Sequence, residues 1–186
     1  MSKRRPHKTK SSTNRKRTSN ARTLQRVNES KDSAVFVEQD HYEVAIDCED
    51  LYTLGAGPCV VAAFSFEKLA YLFHGANAHM SGDFDAFVNE ACQEIPKGRR
   101  RDVVVILAGG YTKVKGERQG VRAAREYCRN LLLSHGFTNL DERWCMAPHD
   151  GQNISVLPKQ NAVEITSTHS ADDGDVPEMT QNIKMD

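Results

Sequence analysis

The sequence predicts one mixed α/β domain with two main helices and largely antiparallel strands. Three observations carry that prediction. Residues 102–110, DVVVILAGG, form a continuous β-branched run, the pattern of a strand buried on both faces. Two longer segments repeat apolar side chains at helical spacing. Short alternating or apolar runs bounded by turn residues fill the rest, as antiparallel strands do.

The elements follow in order. YEVAID (42–47) alternates, with Tyr42, Val44 and Ile46 on one face, and predicts a strand. CVVAAFSF (59–66) and LAYLF (69–73) are apolar runs with little room between them, an antiparallel pair. In DFDAFVNEACQEI, Phe84, Phe87, Val88, Ala91 and Ile95 define a helix. Ser81 or Asp83 is its candidate N-cap and Pro96 its stop. After the 102–110 strand, GERQGVRAAREYCRNLLLSHGF is the clearest helix. Val121, Ala124, Cys128, Leu131, Leu132 and His135 form its apolar side, and Gly136 is its C′ residue. Runs at 142–147, 153–157 and 161–166 then predict a three-stranded meander.

The chain has 186 residues, and its 25 basic and 25 acidic side chains cancel. They are unevenly distributed. Residues 1–33 carry 11 Lys/Arg against Glu29 and Asp32, and 168–186 carry five acids against Lys184. The expected organisation is a disordered basic tail (1–33), a globular domain (34–167) and a disordered acidic tail (168–186). The basic tail has the charge to meet nucleic acid or an anionic surface, but no aromatic residue interleaves in it to stack on bases. No apolar stretch approaches the roughly 20 residues of a membrane span. The N-terminus has no secretory apolar core. Five cysteines without CxxC spacing argue against a disulfide framework or structural zinc, and for a reducing, cytoplasmic compartment.

Chemistry concentrates at Thr53–Cys59, TLGAGPC, where a Gly-rich turn delivers a cysteine to the mouth of a strand. Gly55 and Gly57 let backbone amides turn towards a developing oxyanion, and a nearby histidine would activate the thiol. His74 and His79 in HGANAHM are both candidates, and spacing alone does not choose between them. Their separation fits no metal pair, so neither metal nor cofactor is expected. The LAGG loop at Gly109 and Gly110 lacks the phosphate-cradling signatures and reads as a connection that shapes a pocket.

In series, these pieces resemble the CheD family of chemoreceptor glutamine deamidases. Thr53-Leu54-Gly55-Ala56-Gly57-Pro58-Cys59-Val60 matches that family's T-L-G-x-G-S-C-V motif, with Pro58 in place of Ser. Gly75-Ala76-Asn77-Ala78-His79 matches its histidine segment, after a hairpin a few residues longer than is usual there. The ILAGG strand, the QGVRAAREYCRNLLLSHGF helix and the closing strands follow in the same order.

The resemblance covers roughly 42–167 and implies an α/β/β layered sandwich shared with bacterial cysteine deamidase toxins. It implies that Cys59 attacks a protein glutamine carboxamide, that His79 moves the proton, and that Thr53 orients the histidine. Gly55, Gly57, Gly109 and Gly110 would form the substrate and oxyanion loops. A chemoreceptor substrate and a CheC-like phosphatase partner are implied. Pro58 leaves one further expectation, a non-catalytic docking module, and the unusual tails another, a deamidase translocated into a host cell.

Overall fold

The computed structural model describes residues 34–47, 49–76, 78, 80, 82–113, 118–169 and 177–185. The expected basic tail, 1–33, lies outside the described residues. Strands β1 (Val35–Phe36), β2 (His41–Ala45), β3 (Leu51–Thr53), β4 (Val60–Phe66) and β5 (Leu69–Gly75) precede helix α1 (Asp83–Glu94). Strand β6 (Val105–Gly109), helix α2 (Arg118–Ser134) and strands β7 (Leu140–Trp144), β8 (Gly151–Leu157), β9 (Ala162–Thr168) and β10 (Met179–Lys184) follow. They form two five-stranded mixed sheets, ordered β2-β5-β4-β6-β7 and β1-β3-β8-β9-β10.

Side-chain alternation builds three layers. On one face of β4 and β5, Phe64 stacks on Tyr71 with ring centroids 4.5 Å apart, and both meet Phe87 of α1. Phe73 packs edge-on against Phe84, and Phe64 also touches Phe137 beyond α2. This aromatic face belongs to the helices. The intervening positions Val61, Ala63, Ala70, Leu72 and His74 are also buried, and they face the second sheet. That sheet answers with Leu51, Thr53, Ile154, Val156 and Ile165, while the residues between them are partly exposed. The first sheet is therefore covered on both faces and the second on one. This is the α/β layered class expected from the sequence.

Local chemistry explains the helix ends. Gly82, in the left-handed region at φ 75°, is the N-cap of α1 with no side-chain capping bond, so the expected Asp83 cap is instead the first helical residue. Ser81 lies outside the described residues. Ile95 turns extended before Pro96, whose ring disfavours helix at the preceding residue. Helix α2 closes with Gly136 at φ 91°, Phe137 N–H bonding Leu132 O at 3.1 Å and Gly136 N–H bonding Leu133 O at 3.0 Å, a Schellman closure.

Two expectations change. Residues 142–147 do not open a meander. The strand there, β7, runs parallel to β6 at the edge of the first sheet, with α2 as the crossover between them. The expected acidic tail also contains a strand: β10 pairs antiparallel with β9 from Met179↔Ser167 to Lys184↔Ala162. It completes the meander β8-β9-β10, and Met185 beyond it is buried. Its polar sequence, MTQNIK, hides a strand whose stability comes from the β9 ladder. Finally, β1 and β3, two and three residues long, are too short to show a period in sequence.

Candidate active site

The β4–β5 hairpin sets the geometry. Its register pairs Val61 with His74 and Val60 with Gly75. The ladder on the other side of β4 continues one step beyond the strand, because Gly110 N–H donates to Cys59 O at 2.5 Å. Cys59, two residues before Val61, therefore shares a face with Val61 and His74. It sits diagonal to the histidine, a relation that brings Cα atoms to about 7–8 Å in antiparallel pairs. Cys59 is 4% exposed and His74 3%.

Thr53, fully buried at the end of β3, reaches this face from the second sheet. Its hydroxyl donates to Val37 O at 2.8 Å and lies 2.7 Å from His74 Nδ1. A threonine has one hydroxyl hydrogen, and here the carbonyl takes it. The Thr53 oxygen must then accept from Nδ1–H, which fixes the tautomer: His74 Nε2 carries the lone pair. Nε2 is buried and has no hydrogen-bond partner among the described residues. Burial lowers the His74 pKa below its ordinary 6.5, and the nearby Asp40 carboxylate opposes that shift. A neutral base is therefore built in.

Thr53 is bonded to His74, a contact that does not bear on the role the family resemblance gives to His79. His79 lies outside the described residues. The place of His74 is set by register. A tight turn at Glu67 and Lys68 lets β5 run on to Gly75, so the strand itself carries a histidine to the thiol's face.

The glycine loops hold the turn rather than present donors. Gly55 N–H donates to Asn153 Oδ1 at 2.9 Å and Gly57 N–H to Gly55 O at 2.7 Å. Gly109 N–H donates to Gln152 Oε1 at 2.7 Å, and Gly110 N–H is the ladder bond to Cys59. All four amides expected to meet an oxyanion are thus bonded inside the protein. Gly109 has a stricter duty. At φ +69°, a Cβ there would stand 2.3 Å from Cys59 O. Only glycine lets the β6 loop pass so close to the cysteine.

Buried Gln152 staples the site: Oε1 receives Gly109, Nε2 donates to Arg143 O at 3.1 Å, and its own carbonyl accepts Ala56 N–H at 2.8 Å. Neither Gln152 nor Asn153 carries a sequence signature, because their roles depend on a strand far along the chain from the turn they hold. The β1–β2 turn roofs the site. Cys59 Sγ–H donates to Gln39 Oε1 at 3.6 Å, and Asp40 Oδ1 accepts Ala76 N–H at 2.8 Å. A cavity of about 420 Å3 is walled by Tyr111, Lys113 and Arg125, whose guanidinium stacks on Trp144 at 4.5 Å.

Burial raises the pKa of the three other described cysteines: Cys92, Cys128 and Cys145, the last to about 11. Cys92 has its own histidine, His135 Nδ1 at 3.3 Å, a pairing not legible in the sequence. No disulfide joins any two of the four described cysteines. Among the described residues, no three His, Cys, Asp or Glu side chains are grouped to hold a metal ion. No helix among them is long and apolar enough to cross a membrane. No protein-family model matches the chain, and a search of curated proteins finds no significant relative.

Proposed function

We propose that the chain is a cysteine-dependent carboxamide hydrolase, a protein-glutamine deamidase of the kind the CheD resemblance implies, with Cys59 as nucleophile, His74 as base and Thr53 as its orienting residue. One observation carries the reading: the Thr53–His74 bond, with the threonine hydrogen committed to Val37, leaves a buried, bare Nε2 on the face of Cys59.

The chemistry follows in two steps. His74 Nε2 takes the thiol proton as Sγ attacks the carbonyl carbon of a glutamine side chain, forming the C–S bond. The histidine returns that proton to the amide nitrogen, the C–N bond breaks and ammonia leaves. Water, deprotonated by the same Nε2, then attacks the thioester. Glutamate and the free thiol result. Cysteines without CxxC spacing fit a reducing compartment, and a chemoreceptor glutamine in the cytoplasm is the substrate class the resemblance favours.

The test compares wild type, Cys59→Ala, Cys92→Ala and His74→Gln on glutamine-containing receptor proteins. Ammonia release and Gln-to-Glu conversion are followed by peptide mass spectrometry. Activity retained in Cys92→Ala and lost in the other two is expected. Equal behaviour of wild type and Cys59→Ala sinks the enzyme reading.

A second reading rests on the four committed glycine amides and on Pro58, which has no N–H: the same fold docks a partner, such as a CheC-type phosphatase, without turnover. Alkylation separates the two. An unactivated Cys59 reacts in proportion to the thiolate fraction of an ordinary cysteine, whereas a histidine-paired one reacts rapidly at about pH 6.

A further inference from the structure

We propose that Gln39 is a substrate held in cis: the chain deamidates its own Gln39 to glutamate at Cys59. This inference rests on the deamidase reading above. What singles out Gln39 is the group in contact with the thiol. Cys59 Sγ–H points at the oxygen of a primary carboxamide, the functional group the proposed enzyme cleaves, at 3.6 Å.

The contact belongs to an anchored turn. Val37 N–H bonds Tyr52 O at 2.8 Å, and Val37 O receives the Thr53 hydroxyl that also positions His74. One residue past Gln39, Asp40 adopts a left-handed φ of 61° and its carboxylate is fastened to Ala76 N–H at the end of β5. The Gln39 carbonyl meets His41 Nδ1 at 3.0 Å. Bonds to β3 on one side and to the end of β5 on the other thus hold Gln39 over the cysteine. Its nitrogen is held too, since Nε2–H donates to Asp40 Oδ2 at 3.2 Å. Independently, the buried Nε2 of His74, with no hydrogen-bond partner among the described residues, lies on the same face to take a proton.

Holding nucleophile and carboxamide in one chain replaces a bimolecular encounter with a unimolecular one. The carbonyl carbon is one C=O bond of about 1.2 Å from the contacting oxygen, so attack requires the exposed Gln39 side chain to leave Asp40 and turn the face of its carboxamide to Sγ at about 3–3.5 Å. The step balances as in trans. The C–S bond forms as the Gln39 C–N bond breaks and ammonia leaves with the proton held by His74. Water then hydrolyses the thioester, leaving a glutamate side chain in place of the glutamine and the free Cys59 thiol.

The test is peptide mapping of the segment around Gln39 in full-length wild type, Cys59→Ala and Cys59→Ser, each purified and incubated in heavy-oxygen water. Melting curves confirm that the variants fold. In parallel, the same wild-type preparation is assayed for ammonia release from receptor proteins. Conversion of Gln39 to glutamate in wild type alone, with heavy oxygen in the new carboxylate, is the expected result. Equal conversion in the Cys59 variants means spontaneous hydrolysis and overturns the proposal. Gln39 intact in a preparation that deamidates receptor proteins overturns the proposal and leaves the deamidase reading standing. Gln39 intact with no activity in trans overturns both.

Discussion

At the residue scale, the site is a question of which nitrogen carries a hydrogen. Thr53 settles it by committing its own hydroxyl hydrogen to Val37, so that His74 donates through Nδ1 and accepts through Nε2. Replacing His74 by Gln keeps a polar group but removes the base, and kcat/KM on a glutamine substrate is expected to fall by roughly 10²–10⁴. The same burial sets a pH signature. His74 has a folded pKa below 6.5, so the folded chain binds fewer protons there than the unfolded one. The stability this contributes is complete above pH 6.5 and is lost as pH falls from 6.5 through the lowered folded value. Denaturant melts should show that loss in wild type and not in His74→Gln, and an identical pH profile for the two would refute it. In sequence, Thr53 and Cys59 were legible because a Gly-rich turn marks them. The Thr53–His74 contact was not, because it depends on the register that brings β5 beside β4 and on a strand of the other sheet.

At the element scale, the β6 loop and α1 make opposite demands. Gly109→Ala meets both a left-handed φ and a backbone carbonyl at 2.3 Å, with no flexible side chain to give way. We expect at least about 2 kcal/mol of lost stability, measured by chemical denaturation. Cys59 should also become more accessible to alkylating reagents. Phe87 lies in the cluster of Tyr42, Phe64, Tyr71, Phe73 and Phe84, so Phe87→Ala should cost about 3–5 kcal/mol while leaving the thiol face intact. Activity at a permissive temperature should survive, and its abolition in folded protein would contradict the layer assignment. Helices α1 and α2 were readable because each buries one stripe, which imposes a period. Strand β7 was readable as a strand but not as a neighbour of β6. Parallel pairing across a helix leaves no local mark, and its ion pairs, Arg129–Glu142 and Arg143–Asp141, only reveal an edge once the sheet is known.

At the scale of the whole molecule, the second sheet is a support whose last strand comes from the polar C-terminal segment. Removing residues 177–186 would strip the β9 ladder of its partner and uncover the surface under Met185. A bare strand edge invites pairing between molecules. The truncated protein should melt lower and run as oligomers in size exclusion with light scattering. A monomer with an unchanged midpoint would show that β10 is dispensable. The same sheet also sets when the thiol can become special during synthesis. The turn bearing Cys59 is fastened by Gln152 and Asn153, and these residues leave the ribosome long after it does. Until β8 emerges, the nascent chain carries Cys59 on an unfastened turn without its supporting bonds. Under the proposed function, catalytic competence is thereby deferred until β8, Gly151–Leu157 of the 186 residues, has been made.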